Sequence, residues 1–171
     1  MISKPQPGEY SPYAIMYIDL VDENKSILKQ LQDNLKSTRE LILSFSEEQL
    51  STPCATGEWT IKEILTHNMD TERVFCYRAL CISRNDQTEL PGYEQDDYIA
   101  NIAINKMDIE SLLEEYSAMR NATITFLGNL DDKTLTRTGR ANNNPLSVRA
   151  AAWIIVGHEL HHLESIRENY L

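Results

Sequence analysis

The sequence predicts an all-α protein, an antiparallel four-helix bundle with one longer crossover connection. Three observations lead there: apolar residues recur at three- and four-residue intervals along several long stretches, clusters of turn residues separate the stretches, and no apolar-polar alternation marks a strand. Amphipathic helices must bury their apolar stripes against one another, and a bundle is the economical way for one chain to do so. The 171 residues suffice for one domain, residues 1–171, with a core that needs no disulfide or metal to hold it. Residues 1–12 are expected to form an extended N-terminal segment.

Leu20, Ile27, Leu28, Leu31, Leu35, Ile42 and Phe45 give the first helix its stripe. Ser51-Thr52-Pro53-Cys54-Ala55-Thr56-Gly57 interrupts the pattern, and Ile61, Ile64, Leu65, Phe75, Ala79 and Ile82 then define a second helix, with His67, Asn68 and Thr71 in or beside its inner face. Arg84-Asn85-Asp86-Gln87 and Leu90-Pro91-Gly92 mark a loop, followed by a short helical piece through Tyr98, Ile99 and Ile102. A longer helix starts at Asp108, a suitable N-cap, carries Leu112, Leu113, Tyr116, Met119, Thr123 and Phe126, and ends near Gly128. A polar loop is expected from Asn129 to about Asn144. The last helix begins between Pro145 and Ser147 and runs nearly to the C-terminus. Ala151, Ile155, His158, His162 and Ile166 form one line along it; Trp153, Val156, Leu160 and Leu163 form another. Two apolar lines imply burial on two sides, the second against a partner subunit or against the N-terminal segment.

Composition narrows the function. There are 26 acidic and 16 basic residues, a formal net charge of -10, and such a field repels phosphate backbones and anionic lipid, so neither nucleic acid nor a membrane is an expected partner. Cys54, Cys76 and Cys81 form no CxxC pair and are odd in number, which fits reduced packing thiols in a cytoplasmic protein. The first ten residues contain Pro5, Pro7 and Gly8 and lack the signature of a signal peptide, and no apolar run is long enough to span a bilayer.

The chemistry lies in the histidines. His158 and His162 stand at i and i+4, so both imidazoles leave the same helical face one turn apart and can share one ion. His67, beside the inner face of the second helix, is the natural third donor, because facing helices of a bundle converge their side chains on a common interior point. Three nitrogens leave coordination positions for water or substrate, as in catalytic rather than structural zinc sites. Imidazole suits several ions, with zinc or nickel leading and iron or manganese behind them. His161, a quarter-turn away, points elsewhere. The string His158-Glu159-Leu160-His161-His162 also reads as H-E-x-x-H, in which a metalloprotease glutamate acts as general base. A protease is disfavoured because only nine residues follow His162 and no strand is evident to align a peptide. Glu159 is then a neighbour of the ligands or a base, or else a surface acid paired with a residue such as Arg167 or Lys62. Arg73, Arg78 and Arg149 are either receptors for a carboxylate or intrahelical ion-pair partners. Glu94, Asp96 and Asp97 either edge a pocket or favour the positive end of the next helix.

Gly57-Glu58-Trp59-Thr60-Ile61-Lys62-Glu63-Ile64-Leu65-Thr66-His67 and Asp70-Thr71-Glu72-Arg73-Val74-Phe75 resemble the second helix of the DinB-like, or YfiT-like, superfamily. Leu90 through Tyr98, Asn144 through Arg149 and Gly157 through His162 resemble its later blocks, so the likeness covers most of the chain from about Tyr13. The resemblance implies a four-helix bundle, commonly a homodimer, with a divalent metal on the histidines corresponding to His67, His158 and His162. Asn68 stands where the family usually has leucine. The resemblance further implies an enzyme in which the metal activates a low-molecular-weight thiol or water for transfer to, or hydrolysis of, a small electrophilic substrate. A different class, a non-catalytic metal-binding stress-response scaffold working through a protein partner, fits the same residues.

Overall fold

The computed structural model describes residues 2–171, with backbone only for Asn105. After a 3-10 turn at Pro12–Ala14 come α1 (Ile15–Ile18), α2 (Ile27–Ile42), α3 (Glu47–Ser51), α4 (Ile61–Ser83), α5 (Gln95–Ala100), a second 3-10 turn at Ile104–Lys106, α6 (Ile109–Gly128) and α7 (Asp132–Leu135). A hairpin of β1 (Thr138–Ala141) and β2 (Asn144–Ser147) leads into α8 (Val148–Tyr170). The long helices α2, α4, α6 and α8 form the expected four-helix bundle, in which α2 and α4 lie diagonally opposite, as do α6 and α8.

Side-chain bonds fix the helix directions. Arg39 donates to the Leu113 carbonyl and Arg120 to that of Leu31, so α2 and α6 are antiparallel. Glu72 meets Arg120 while Cys76 meets Thr123, so α4 and α6 run parallel. Tyr170, at the end of α8, donates to the carbonyl of Trp59, just before α4, and this pair is antiparallel. The order is therefore up, down, down, up. Because α4 and α6 share a direction, residues 84–108 must return along most of α4, roughly 34 Å for its 23 residues. This return is the longer crossover that the sequence predicts.

Local chemistry sets the boundaries. Thr60 and Glu63 form a reciprocal capping box at α4, Asp108 accepts from the amide of Ser111 at α6, and Ser147 accepts from that of Ala150 at α8. The first helix begins later than its apolar spacing indicates. Asp22 through Lys25 form a turn that is sealed by Gln30, whose side chain bonds the amide and carbonyl of Asp22 and the carbonyl of Lys25, so exposed Leu20 lies outside α2. Nor is the segment after Asn129 a polar loop: it holds α7 and the hairpin, pairing Thr138 with Ser147 and Ala141 with Asn144. Asn142 and Asn143 at its tip both have positive φ, 49° and 60°, as a two-residue type I′ turn demands.

The second apolar line of α8 is covered from within the chain. Trp153 donates its indole N–H to the Ile2 carbonyl, Arg149 pairs with Glu9 and bonds Ser3, and α1 crosses α8 at Gly157. A Cβ at Gly157 would stand 1.9 Å from the Tyr17 carbonyl oxygen. Cys54 is exposed, contrary to its expected packing role, and the three thiols are free.

At the bundle centre, Arg120, 1 % exposed, lies between two buried carboxylates. Its Nε and Nη2 bond Glu72 at 2.7–3.0 Å, Nη2 is 2.9 Å from Glu159, and Nη1 donates to the Leu31 carbonyl. Glu159 also accepts from Asn34 and Thr38 of α2 and from Tyr116 of α6. Burial and the adjacent Glu159 charge push the Tyr116 hydroxyl well above its ordinary range, so it keeps its proton and donates. Helices α2, α4, α6 and α8 all contribute to this one network.

Removing the cation leaves two buried carboxylates uncompensated. Arg120→Met is expected to cost about 3–5 kcal/mol in chemical denaturation, whereas Arg140→Met, at an exposed pair with Glu89, should change stability by under ~1 kcal/mol. Gly157→Ala should lower stability by about 1–3 kcal/mol through forced displacement of α1, read as a drop in melting temperature with faster proteolysis of the first twenty residues.

Candidate metal centre

Helices α4 and α8 are in the most extensive contact of the bundle, and the histidines meet there. His67 comes from the second turn of α4, and His158 and His162 from one face of α8. One nitrogen from each lies within 4.8 Å of the others. The Nε2 atoms of His67 and His158 are 3.1 Å apart, close to the separation of roughly 3.3 Å that two imidazoles at ~2.05 Å from a tetrahedral ion would have. Burial pushes His67 down to about 4 and His162 to about 3, and holds His158 well below its ordinary value, with the neighbouring imidazoles adding to the effect on both α8 residues. All three rings are therefore neutral at neutral pH and have lone pairs to offer. Neutral nitrogen donors converging from two rigid helices fit a divalent transition metal.

Rings enclose the cluster. Trp59 packs on His67 with centroids 4.9 Å apart, and Tyr17 packs on His158 at 5.2 Å. His161 contacts Tyr17 at 5.6 Å and stays outside the donor set, as its helical position predicts. Clefts open on two sides. One, of about 250 Å³, is bordered by His158, Tyr17, Thr71, Arg78, Tyr93 and the hairpin tip at Asn142. The other, of about 240 Å³, is bordered by His162, Trp59, Asp96 and Tyr170. Tyr93 shares a 2.6 Å hydrogen bond with Thr71 at the wall of the first.

The structure sorts the other sequence candidates. Glu159 turns into the bundle centre, where both oxygens are engaged by Arg120, Thr38, Tyr116 and Asn34, so it is not poised as a base beside the histidines. It pairs with neither Arg167, which meets Glu164, nor Lys62, which meets Glu47 and the Met107 carbonyl. Arg73 pairs with Asp70 and Glu115, and Arg149 with Glu9, so neither is a free receptor. Arg78 differs, with no carboxylate against it among the described residues. Asp96 does both things considered for it: it lies in the first turn of α5 and edges the cleft beside His162. Asn68 is buried with its side-chain oxygen unpaired. Tyr17 escaped the sequence reading, since nothing in an isolated tyrosine of an N-terminal segment says that the segment folds back over α8. Tyr93 was visible only as part of the Leu90-to-Tyr98 block.

A helical bundle that brings three neutral histidines together, with His158 bordering one open cleft and His162 another, has the donor set of a metal-binding bundle protein. The family model of the DinB superfamily matches residues 30–166, and the chain belongs to that superfamily. A Bacillus pumilus protein named "Putative metal-dependent hydrolase" is 26 % identical over 125 residues, 72 % of this chain and 71 % of its own. A protein of the same description from Oceanobacillus iheyensis is 22 % identical over 142 residues, 82 % of this chain and 81 % of its own. Among solved structures, YfiT from Bacillus subtilis, described as a probable metal-dependent hydrolase with an unusual four-helix bundle topology, superposes with a TM-score of 0.68 at 20 % identity, covering 96 % of this chain and 90 % of that one. A DinB-like protein from the same organism gives 0.60 at 17 % identity over 85 % of this chain and 90 % of that one. Among the described residues no helix is long and apolar enough to cross a membrane.

Because Glu159 serves the network rather than the clefts, Glu159→Gln should leave metal stoichiometry unchanged while lowering stability by about 1–3 kcal/mol. Elemental analysis beside a denaturation curve checks both; metal loss with unaltered stability would place Glu159 at the site instead.

Proposed function

We propose that this protein is a metal-dependent enzyme in which His67, His158 and His162 hold one divalent transition metal, zinc or nickel in preference to iron or manganese, for attack on a small electrophilic substrate. The observation that carries the reading is the convergence of three neutral imidazoles within 4.8 Å, with His158 and His162 each bordering a cleft open to solvent. A bound divalent cation supplies Lewis acidity there, lowering the pKa of a coordinated water or low-molecular-weight thiol so that it is nucleophilic at neutral pH. The chain does the rest. Helices α4 and α8 hold the imidazoles in place before anything binds, burial keeps them unprotonated, and Trp59 and Tyr17 limit water around them.

Hydrolysis and thiol transfer place different demands on the clefts. Attacking water must lose a proton to an acceptor, and Asp96, whose charge acts on His67, borders the cleft on the His162 side. A thiol that enters as thiolate has already given its proton to bulk solvent, and no carboxylate lines the wall around His158, Tyr17 and Tyr93. The names borne by the relatives favour hydrolysis; the cleft beside His158 equally admits a thiol. A scaffold role is the weaker reading, because a structural ion needs no open cleft at its ligands. As a homodimer, the protein would have to associate through a surface other than the Trp153 side of α8, which its own N-terminal segment occupies.

The test is elemental analysis of untagged protein purified without chelator, wild type beside His67→Ala, followed by assay of the loaded form on activated esters with and without added thiol. One equivalent of metal in the wild type and under a tenth of that in the variant are expected, with turnover lost in parallel. Equal metal content in the two proteins would overturn the site assignment.

A further inference from the structure

Arg78 is 6 % exposed, yet no carboxylate faces it among the described residues. The other deeply buried arginine, Arg120, has two. The Arg78 guanidinium donates through Nη2 to the Pro91 carbonyl at 2.8 Å, while its buried Nε has no partner at all. Phe75 lies against it, 5.1 Å from ring centroid to guanidinium carbon. In a chain of net charge -10 acids are plentiful, and one beside Arg78 would relieve the cost of burying the charge. Burial instead pulls its proton affinity below the ordinary range, with only Tyr93 opposing.

Position gives the uncommitted donors a purpose. Arg78 follows His67 by eleven residues on α4, about three turns, which brings both to the same face with their Cα atoms about 16 Å apart along the axis. Arg78 and His158 border the same cleft of about 250 Å³. Its remaining polar wall, which includes Thr71, Tyr93 and Asn142, is neutral. From these features we infer that Arg78 is the receptor for the carboxylate of an elongated small molecule that lies along this cleft with its reacting end at the histidine cluster. A single guanidinium with one side already committed to Pro91 matches one negative charge, and a dianion such as a phosphate monoester would keep an unbalanced charge there. The inference rests on the proposed metal centre for the reacting end and on Arg78 alone for the anionic end.

Calorimetric titration of the zinc-loaded protein with 6-mercaptohexanoate, and separately with 6-mercaptohexan-1-ol, tests it. Wild type should bind the carboxylate about tenfold or more tightly. Arg78→Gln should remove that preference without weakening the alcohol, and Arg78→Lys should keep part of it. Equal affinities in the wild type, or a preference surviving in Arg78→Gln, would overturn the assignment, and tighter binding of hexyl phosphate than of hexanoate would overturn the carboxylate class. Titrating metal-free protein with hexanoate against hexan-1-ol separates this inference from the metal reading, because the preference and its loss in Arg78→Gln are expected there too. A second arm locates the carboxylate: if hexanoate binds unchanged in saturating 2-mercaptoethanol, it belongs to the electrophile, and if 6-mercaptohexanoate displaces 2-mercaptoethanol while hexanoate cannot bind beside it, it belongs to the thiol.

Discussion

Arg120 carries the only positive charge in a network that Glu72 and Glu159 would otherwise make untenable, and all four long helices are arranged around it. A buried ion pair adds little net stability over apolar packing, but its geometry tolerates few alternatives, because any shift leaves a charge without a partner. Here the constraint acts on rotation. Glu159 can reach Arg120, Thr38 and Tyr116 only if α8 presents that face to the centre, and the preceding residue on an α-helix points about 100° away. His158 is thereby directed at α4, with His162 one turn further along. His158 of the histidine cluster and Glu159 of the network are consecutive residues, so the same helix rotation serves both.

The crossover and the N-terminal segment complete what the helices begin. Parallel α4 and α6 require residues 84–108 to travel back along the bundle, and this path carries Pro91, Tyr93 and Asp96 past the face of α4 that bears His67, Thr71 and Arg78. On the other side, Gly157 lets α1 approach α8 closely enough for Tyr17 to reach His158. A short turn between α4 and α6 would have given a bundle without these walls. The clefts are thus a consequence of helix direction, with the loops supplying their surfaces.

The bundle and the histidine cluster were both legible in the sequence because each rests on local periodicity. Apolar stripes repeat at helical spacing, and His158 and His162 share a face whatever surrounds them. His67 required only that facing helices converge. The hairpin was missed because its strands have four residues each and include Gly139 and Pro145; the adjacent Asn142 and Asn143 were the available sign of a tight turn. The interior of α2 was half hidden for a different reason. Gln30, Asn34 and Thr38 are buried polar residues, and an apolar pattern cannot register positions whose burial is compensated by hydrogen bonds. Glu159 illustrates the limit of motif reading: spacing alone places it beside two candidate ligands, while only tertiary structure reveals Arg120 waiting on its other side.

The same reasoning separates the two buried arginines. A buried guanidinium persists when something balances it, and for Arg120 the balance is internal, permanent and shared among helices. For Arg78 the protein provides a carbonyl at Pro91 and an aromatic face at Phe75, both weak substitutes for a carboxylate. Glu89 of the crossover is occupied by Arg140 and Asp70 of α4 by Arg73. The difference lies in where the missing charge can come from. Arg120 is sealed inside the bundle, whereas Arg78 borders a cleft through which a ligand can enter, and that ligand would meet neutral imidazoles at the far end. One end of the cleft thus provides fixed positive charge and the other neutral donors suited to a cation, an asymmetry that orients any molecule with an anionic tail before chemistry begins.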